Sequence, residues 1–189
     1  MIWMTWTWFG CLDTKNIEDT GLTQEELDAQ QAEACHEDVH NWDPNWAALE
    51  ERVLELVNQK RAQGADCGQY GVYGPADPLE MNPILRCSAR YHAKWMGGNK
   101  HYDHSSPGGG LGEDPFERME NAGFTGMMMG ENVAFGYPTP EQVVNGWMSS
   151  DGHCSNIMEP QYNVIGVGYA YVETSEYKHM WVQNFGLLQ

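Results

Sequence analysis

The chain has 189 residues, of which 41% are hydrophobic, and a formal net charge of −17 at pH 7. This length suits one domain with a sizeable core, and the negative charge argues against nucleic acid as a partner because a polyanion would be repelled. No apolar run reaches the roughly 18 residues that a transmembrane helix needs. Residues 1–50 hold eleven acidic side chains against the single base Lys15, a net charge of −10, which predicts a solvated spacer.

The first eleven residues leave two interpretations open. MIWMTWTWFGC is apolar and ends in Gly-Cys, like the tail of a bacterial lipoprotein signal, but it lacks a basic region and has Trp8 where a leucine usually stands. A truncated signal of residues 1–11 would make Cys11 the site of a lipid anchor in the membrane. The alternative is an N-terminal strand or a disordered tail. Residues 12–44 are predicted to form an acidic arm, with one helix over TQEELDAQQAEACHE, and residues 45–189 the folded domain.

The five cysteines are an odd number, so a lipid-bearing Cys11 would leave four for two disulfides. Four cysteines allow three connectivities. Cys67 and Cys87 bracket a turn-rich segment, and we predict that these two pair. Cys35 and Cys154 then pair by elimination. Both disulfides require an oxidising compartment.

Two long helices are predicted in the first half of the domain. The first covers NWAALEERVLELVNQKRAQG, which places four apolar side chains on one helical face: Leu49, Val53, Leu56 and Val57. The second covers NPILRCSARYHAKWMGG, with Asn82 as the N-cap, Pro83 in the first turn and a Gly-Gly pair as the end.

Two shorter helices follow with the same capping pattern. Asp114 and Pro115 begin the helix of EDPFERMENAG, where Glu117 is the reciprocal acid of a capping box. Thr139 and Pro140 begin the helix of TPEQVVNGWMSS in the same way.

The last part of the chain predicts a sheet that is covered on both faces. VIGVGYAYV, residues 164–172, alternates large side chains with glycine, alanine and valine, and neither of its faces is polar. The face with Gly166 and Gly168 favours the close approach of a helix. HMWVQNF is the predicted antiparallel neighbour, and GENVAFG is a shorter third strand. The fold class is therefore α+β, a three-layer α-β-α sandwich with a central antiparallel sheet.

Three segments place a titratable side chain beside glycine at the edge of an element: HYDHSSPGG with His104, GENVAFG with Glu131 and SSDGHCSN with His153. Two neutral imidazoles and a carboxylate are the ligand set of an open zinc site. Spacing alone does not bring the three together, and each also suits a structural hydrogen-bonding role. The motifs of other chemistries are absent from the sequence, including the G-x-S-x-G elbow, HExxH and the glycine loops that bind nucleotides.

Several ordered motifs resemble the CAP superfamily in its bacterial branch. They run from about Asn45 to Gly186 and are LVNQKRAQG, ARYHAKWM, HYDHSSPGG, GENVAFG, WMSSDGHCSN, VIGVGYAYV and WVQNFG. This family includes cysteine-rich secretory proteins, antigen 5 and pathogenesis-related proteins, and its domain is also called the SCP domain. The resemblance implies a three-layer sandwich with a central cleft, an extracytoplasmic location, and association with metals, lipids or cell-surface components.

The resemblance also implies which residues line the cleft. The family's cleft carries two histidines and two acids, and three of these positions are His104, Glu131 and His153. The second acid falls on Ser150, so one carboxylate is missing. Glu117 and Asp103 are candidates to replace it.

Two functions follow from this reading. The first is a binding module, secreted or lipid-anchored, whose cleft holds zinc or another divalent cation through His104, His153 and Glu131. Its partner would be a small ligand, a lipid or a cell-surface component. The alternative is a peptidase-like hydrolase in which Glu131 is the general base. His153 is predicted to face the cleft and Cys154 to face away into a disulfide, with Gly152 providing a sharp turn before them.

Overall fold

The computed structural model describes residues 35–189. The predicted lipoprotein signal, Cys11 and almost all of the helix predicted in the acidic arm lie outside these residues. The described helices are α1 Pro44–Gln63, α2 Pro83–Asn99, α3 Pro115–Asn121, α4 Pro140–Met148 and α5 Asp151–Met158. The strands are β1 Ala65–Asp66, β2 Val72–Tyr73, β3 Glu80–Met81, β4 Met127–Phe135, β5 Val164–Tyr171 and β6 His179–Leu187. None of these helices is both long and apolar enough to cross a membrane.

The central sheet has the strand order β3-β5-β6-β4. β6 pairs antiparallel with both of its neighbours, so that Val182 lies opposite Gly168 on β5 and opposite Val133 on β4. These three strands confirm the predicted antiparallel sheet. The structure adds β3, a two-residue edge strand that runs parallel to β5, and a separate hairpin of β1 and β2.

Helices cover the sheet on both faces, which confirms the three layers. On one face α2 lies with its backbone against β5, because a Cβ atom on Gly166 would be 2.0 Å from the carbonyl carbon of Leu85, and one on Gly168 would be 2.3 Å from that of Ala89. The glycines therefore allow the close approach that the sequence predicted. On the other face, Ile165 packs in one cluster with residues of α1, α4 and α5.

The predicted starts of the helices are confirmed, but one predicted end is wrong. Asn82 Oδ1 accepts hydrogen bonds from the backbone of Ile84 and Leu85 at 3.1 and 3.0 Å. The Gly-Gly pair does not end α2, which continues to Asn99. Gly97 serves packing instead, because a Cβ atom there would be 2.5 Å from a methyl carbon of Val172.

The disulfides are Cys35–Cys87 and Cys67–Cys154, so the predicted connectivity is wrong. The reason is the topology of the sheet. Cys87 lies on α2 and packs with Val39 on one side of the sheet, whereas Cys67 belongs to the core on the opposite side. Closeness in sequence therefore did not predict which cysteines pair. Disulfides in general form and persist mainly in oxidising compartments.

The end of the predicted arm is fastened to the domain. Besides the disulfide of Cys35, the indole of Trp42 donates a hydrogen bond of 2.8 Å to the fully buried Glu50. Glu50 also pairs with Arg86 at 2.9 Å and with Arg90 at 2.8 Å. This buried ion cluster links α1 to α2.

Candidate functional site

A polar cleft of about 300 Å³ opens where β4 meets the start of α5. The structure brings together on this cleft the four residues that the sequence singled out: His104, Glu131, Ser150 and His153. Its other lining residues include Tyr70, which follows β1, and Asn156 of α5. Four distant parts of the chain thus meet at one edge of the sheet.

Glu131 is the buried centre of the site. Its side chain is 1% exposed, and one carboxylate oxygen lies 2.9 Å from Nδ1 of His104. The other oxygen lies 2.9 Å from Nη2 of Arg118, whose side chain is fully buried. Both oxygens are therefore occupied, and the carboxylate charge is balanced inside the protein.

Arg118 is the site residue that the sequence analysis missed. Besides the pair with Glu131, its guanidinium donates to the backbone oxygen of His104 at 2.8 Å and to Oγ of Ser106 at 2.6 Å. One group therefore holds the carboxylate and the backbone of the neighbouring histidine. The sequence around Arg118, a short predicted helix, carries no local signal of its burial.

Two asparagines of the recognised motifs support the cleft from behind. The amide of Asn184 is oriented by its neighbours, so that its nitrogen donates to Glu131 at 3.1 Å and its oxygen accepts from Ser88. Asn132 donates to the backbone oxygen of His153 at 3.2 Å and accepts from Asn156 at 2.9 Å. Both the acid and the backbone at the second histidine are held in place.

The pKa values of the two cleft histidines, His104 and His153, are shifted in opposite directions. The hydrogen bond to Glu131 raises the pKa of His104, and this outweighs the lowering by burial. Burial lowers the pKa of His153, and the charge of His104 lowers it further. Because Nδ1 of His104 faces Glu131, its Nε2 is the ring nitrogen left for a ligand.

His153 and Cys154 diverge because they lie on a helix. Successive side chains on α5 point about 100° apart, so His153 lines the cleft while Cys154 is buried in its disulfide. The predicted sharp turn at Gly152 is wrong, because this residue lies within the first turn of α5. A Cβ atom on Gly152 would lie 3.9 Å from the ring of Tyr70, which is an ordinary contact distance, so the packing here does not require a glycine.

Neither candidate for the missing acid lines the cleft. Glu117 accepts a hydrogen bond from the backbone of Glu113 at 2.9 Å, and Asp103 accepts one from the backbone of His104 at 2.6 Å. Among the lining residues that the structure describes, Glu131 is the one acid. Ser150 caps α5 without a side-chain hydrogen bond.

Within residues 35–189, no group of three or more His, Cys, Asp or Glu side chains is arranged to hold a metal ion. The position of Glu131 explains this, because its oxygens face His104 and Arg118. His104 and His153 remain as two nitrogen donors on one cleft. These two imidazoles are the groups of the cleft that could coordinate a metal.

The histidines around Glu131 are expected to titrate in a fixed order, which NMR of the imidazole carbons between about pH 4 and pH 9 would measure. His104 should titrate above its ordinary pKa because of its hydrogen bond to Glu131, and His153 below its ordinary pKa because of burial. His92 should come last on lowering the pH, because burial lowers its pKa to about 4. Glu131→Gln should bring the pKa of His104 down. A lower pKa for His104 than for His153 would contradict the geometry of the cluster.

The pKa shifts of His104 and His92 have opposite effects on the pH dependence of stability. The contribution of His104 is fully present below its unfolded pKa of about 6.5 and is lost as the pH rises through its raised folded pKa. His92 acts in the other direction, because the unfolded chain binds its proton first. Stability should therefore fall as the pH drops from about 6.5 toward the folded pKa of about 4.

The fold and the site together define the class of this protein. It is a small disulfide-linked α-β-α sandwich with a polar cleft at its edge strand. The sequence of residues 54–185 matches the model of the CAP, or cysteine-rich secretory protein, family. The chain belongs to this family. The resemblance stated from the motifs is therefore confirmed.

Proteins similar to this chain include two curated relatives and two solved structures. The uncharacterized protein YkwD of Bacillus subtilis is 37% identical over 139 residues, which cover 74% of this chain and 47% of the relative. The uncharacterized membrane protein YlbC of the same organism is 31% identical over 127 residues, which cover 67% of this chain and 33% of the relative. The chain thus spans less than half the length of either relative.

An extracellular protein of Bacillus anthracis that contains an SCP domain has a TM-score of 0.60 at 23% identity, covering 75% of this chain and 41% of that one. An outer surface protein of Borrelia burgdorferi has a TM-score of 0.55 at 20% identity, covering 76% of this chain and 92% of that one. Both similarities concern the fold.

Proposed function

We propose that this domain is an extracytoplasmic binding module whose cleft holds zinc or another divalent cation through His104 and His153. The observation that carries the proposal is the hydrogen bond from His104 to Glu131. A carboxylate at Nδ1 fixes the tautomer that presents Nε2 as a ligand, an arrangement usual for metal-bound histidines. Glu131 then orients a ligand instead of binding the metal itself.

The location outside the cytoplasm is supported by two observations. The domain has two disulfides, which persist in oxidising compartments. The solved structures it resembles include an extracellular protein and an outer surface protein. Because the disulfides use four cysteines, Cys11 is the one left for a lipid anchor, and the protein is secreted or held at the membrane through it.

A peptidase-like role for Glu131 receives no support from its surroundings. A general base must reach the proton that it removes, whereas both oxygens of Glu131 are occupied by His104 and Arg118 and the side chain is buried. A bound metal would supply charge and coordination positions for a small ligand, a lipid headgroup or a cell-surface component. We therefore place binding ahead of hydrolysis.

Zinc is expected to bind the wild-type protein and not the His104→Ala/His153→Ala variant, because the two imidazoles supply the protein's nitrogen ligands. Calorimetric titration at about pH 7.5 would measure this. Affinity should weaken as the pH falls, beginning above 6.5, because the proton on His104 is held by Glu131. Glu131→Gln should cost about 10–100-fold in affinity through the loss of orientation.

The matched control is His179→Ala, which removes an imidazole at the far end of β6, where it contacts Tyr169. This variant should bind zinc like the wild type. Equal zinc affinity in the wild type and the double variant would exclude the cleft as the metal site.

A further inference from the structure

Two buried polar atoms behind the cleft have no partner in the protein. Within residues 35–189, the buried side-chain atoms without a hydrogen bond are Nδ1 of His92, Nε of Arg118 and Nε2 of Gln183. His92 and Arg118 are fully buried, and both lie near enough to Glu131 to feel or balance its charge. Buried polar groups in native proteins are nearly always hydrogen-bonded, either to the protein or to ordered water.

His92 and Arg118 hold the same piece of backbone from two different helices. Nε2 of His92, on α2, lies 2.9 Å from the backbone oxygen of Asp103. Arg118, on α3, donates to the next backbone oxygen, that of His104, at 2.8 Å. The positive charge of Arg118 also lowers the pKa of His92, as expected of two groups at short range. The two unpartnered nitrogen atoms therefore belong to side chains that meet at one loop.

The two unpartnered atoms are an acceptor and a donor. A carbonyl oxygen only accepts hydrogen bonds, so Nε2 of His92 carries the proton and donates to Asp103. Burial lowers the pKa of His92 to about 4, so the ring is neutral at pH 7 and its Nδ1 has a free lone pair. Nε of Arg118 is a donor, because the guanidinium group does not lose its protons in proteins.

The carboxylate of Glu131 is within reach of the same position. Nε–H of Arg118 lies on the same edge of the planar guanidinium as Nη2, which binds Glu131 at 2.9 Å. A carboxylate has about four lone-pair sites. That of Glu131 accepts from His104, Arg118 and Asn184, so one more donor can be accommodated.

The chemistry of these three groups selects a water molecule as their ligand. An anion has no proton to donate to Nδ1 of His92 or to Glu131. A metal cation has no lone pair for the donor of Arg118 and would be repelled by its charge. Water accepts one hydrogen bond and donates two, and about three polar partners are usual for an internal water molecule.

We propose that one internal water molecule joins His92, Arg118 and Glu131 behind the cleft. The water accepts a hydrogen bond from Nε of Arg118 and donates to Nδ1 of His92 and to the carboxylate of Glu131. His92 does not line the cleft, but through this water it supports the buried acid of the cleft from α2. The water site contains no metal ligand position, so the inference is independent of the proposed function.

The test is NMR of the isotopically labelled, zinc-free full chain at neutral pH. The Nε–H proton of Arg118 should show a nuclear Overhauser cross-peak to water, and His92 should carry its proton on Nε2 alone. Arg61 is the control in the same spectrum, because it is equally buried and its Nε donates to the backbone oxygen of Asp77 at 2.7 Å. A missing cross-peak for Arg118, an equal one for Arg61, or a proton on Nδ1 of His92 would overturn the proposal.

Two variants test His92 as a partner of the water. His92→Leu removes the acceptor and should weaken the cross-peak of Arg118, because a water with fewer partners exchanges faster. His92→Asn places an amide oxygen near the position of Nδ1 and should retain the cross-peak. Equal cross-peaks in the two variants, both folded by circular dichroism, would contradict the site. If the variants do not fold, the wild-type spectrum decides.

Discussion

Replacing Cys67 and Cys154 together by alanine is expected to lower the free energy of unfolding by about 4.6 kcal/mol. The two cysteines are 87 residues apart in sequence, and a loop of that length contributes about this much by restricting the unfolded chain. Both side chains are buried, so alanine avoids placing a hydroxyl in the core. Urea denaturation of the oxidised wild type and of the double variant would measure the difference. A loss below about 1 kcal/mol would contradict the expectation.

The second disulfide is the matched control for the cleft. Replacing Cys35 and Cys87 by alanine should cost about 4 kcal/mol, because their separation is 52 residues. Only the first pair holds the turn with Tyr70 against α5, where Asp151 also accepts from the backbone of Gln69 at 3.1 Å. Loss of zinc binding in the cleft should therefore accompany the replacement of Cys67 and Cys154 and not that of Cys35 and Cys87.

Arg118→Met is expected to lower the free energy of unfolding by about 3–5 kcal/mol, because it leaves the buried carboxylate of Glu131 without its cation. Urea denaturation curves at about pH 7 would measure this loss. The double variant Arg118→Met/Glu131→Gln should be more stable at neutral pH than Arg118→Met alone.

Arg52→Met is the control for removing an arginine. Arg52 also pairs with acids, Glu55 and Glu141, but on the surface. Exposed pairs contribute at most about 1 kcal/mol, so this variant should stay close to the wild type. Similar losses for the two arginine variants would mean that the pair with Glu131 is not the source of the effect.

Local pattern was enough to predict the layers of the fold. The small residues of β5 predicted that a helix would come close, and α2 does so at Gly166 and Gly168. The same reasoning failed at the end of α2. A Gly-Gly pair can end a helix or make room for a neighbour, and only the position of Val172 decides between the two.

The sequence motifs predicted which residues line the cleft but not how these residues contact one another. His104, Glu131, Ser150 and His153 line one cleft, but spacing alone could not bring them together. The role of Glu131 depended on Arg118, a residue 13 positions away whose burial no local signal fixes. The predicted disulfide pairing was wrong for a related reason, because the sheet lies between Cys67 and Cys87.

The two disulfides also interlock along the chain, since Cys67 lies inside the loop that Cys35 and Cys87 close. Before the sheet has formed, the shortest loop among these four cysteines joins Cys67 to Cys87 and costs the least entropy to close. Oxidation of the nascent chain thus favours a crosslink that the folded domain cannot contain. Formation of the two native disulfides from that crosslink would require thiol–disulfide exchange.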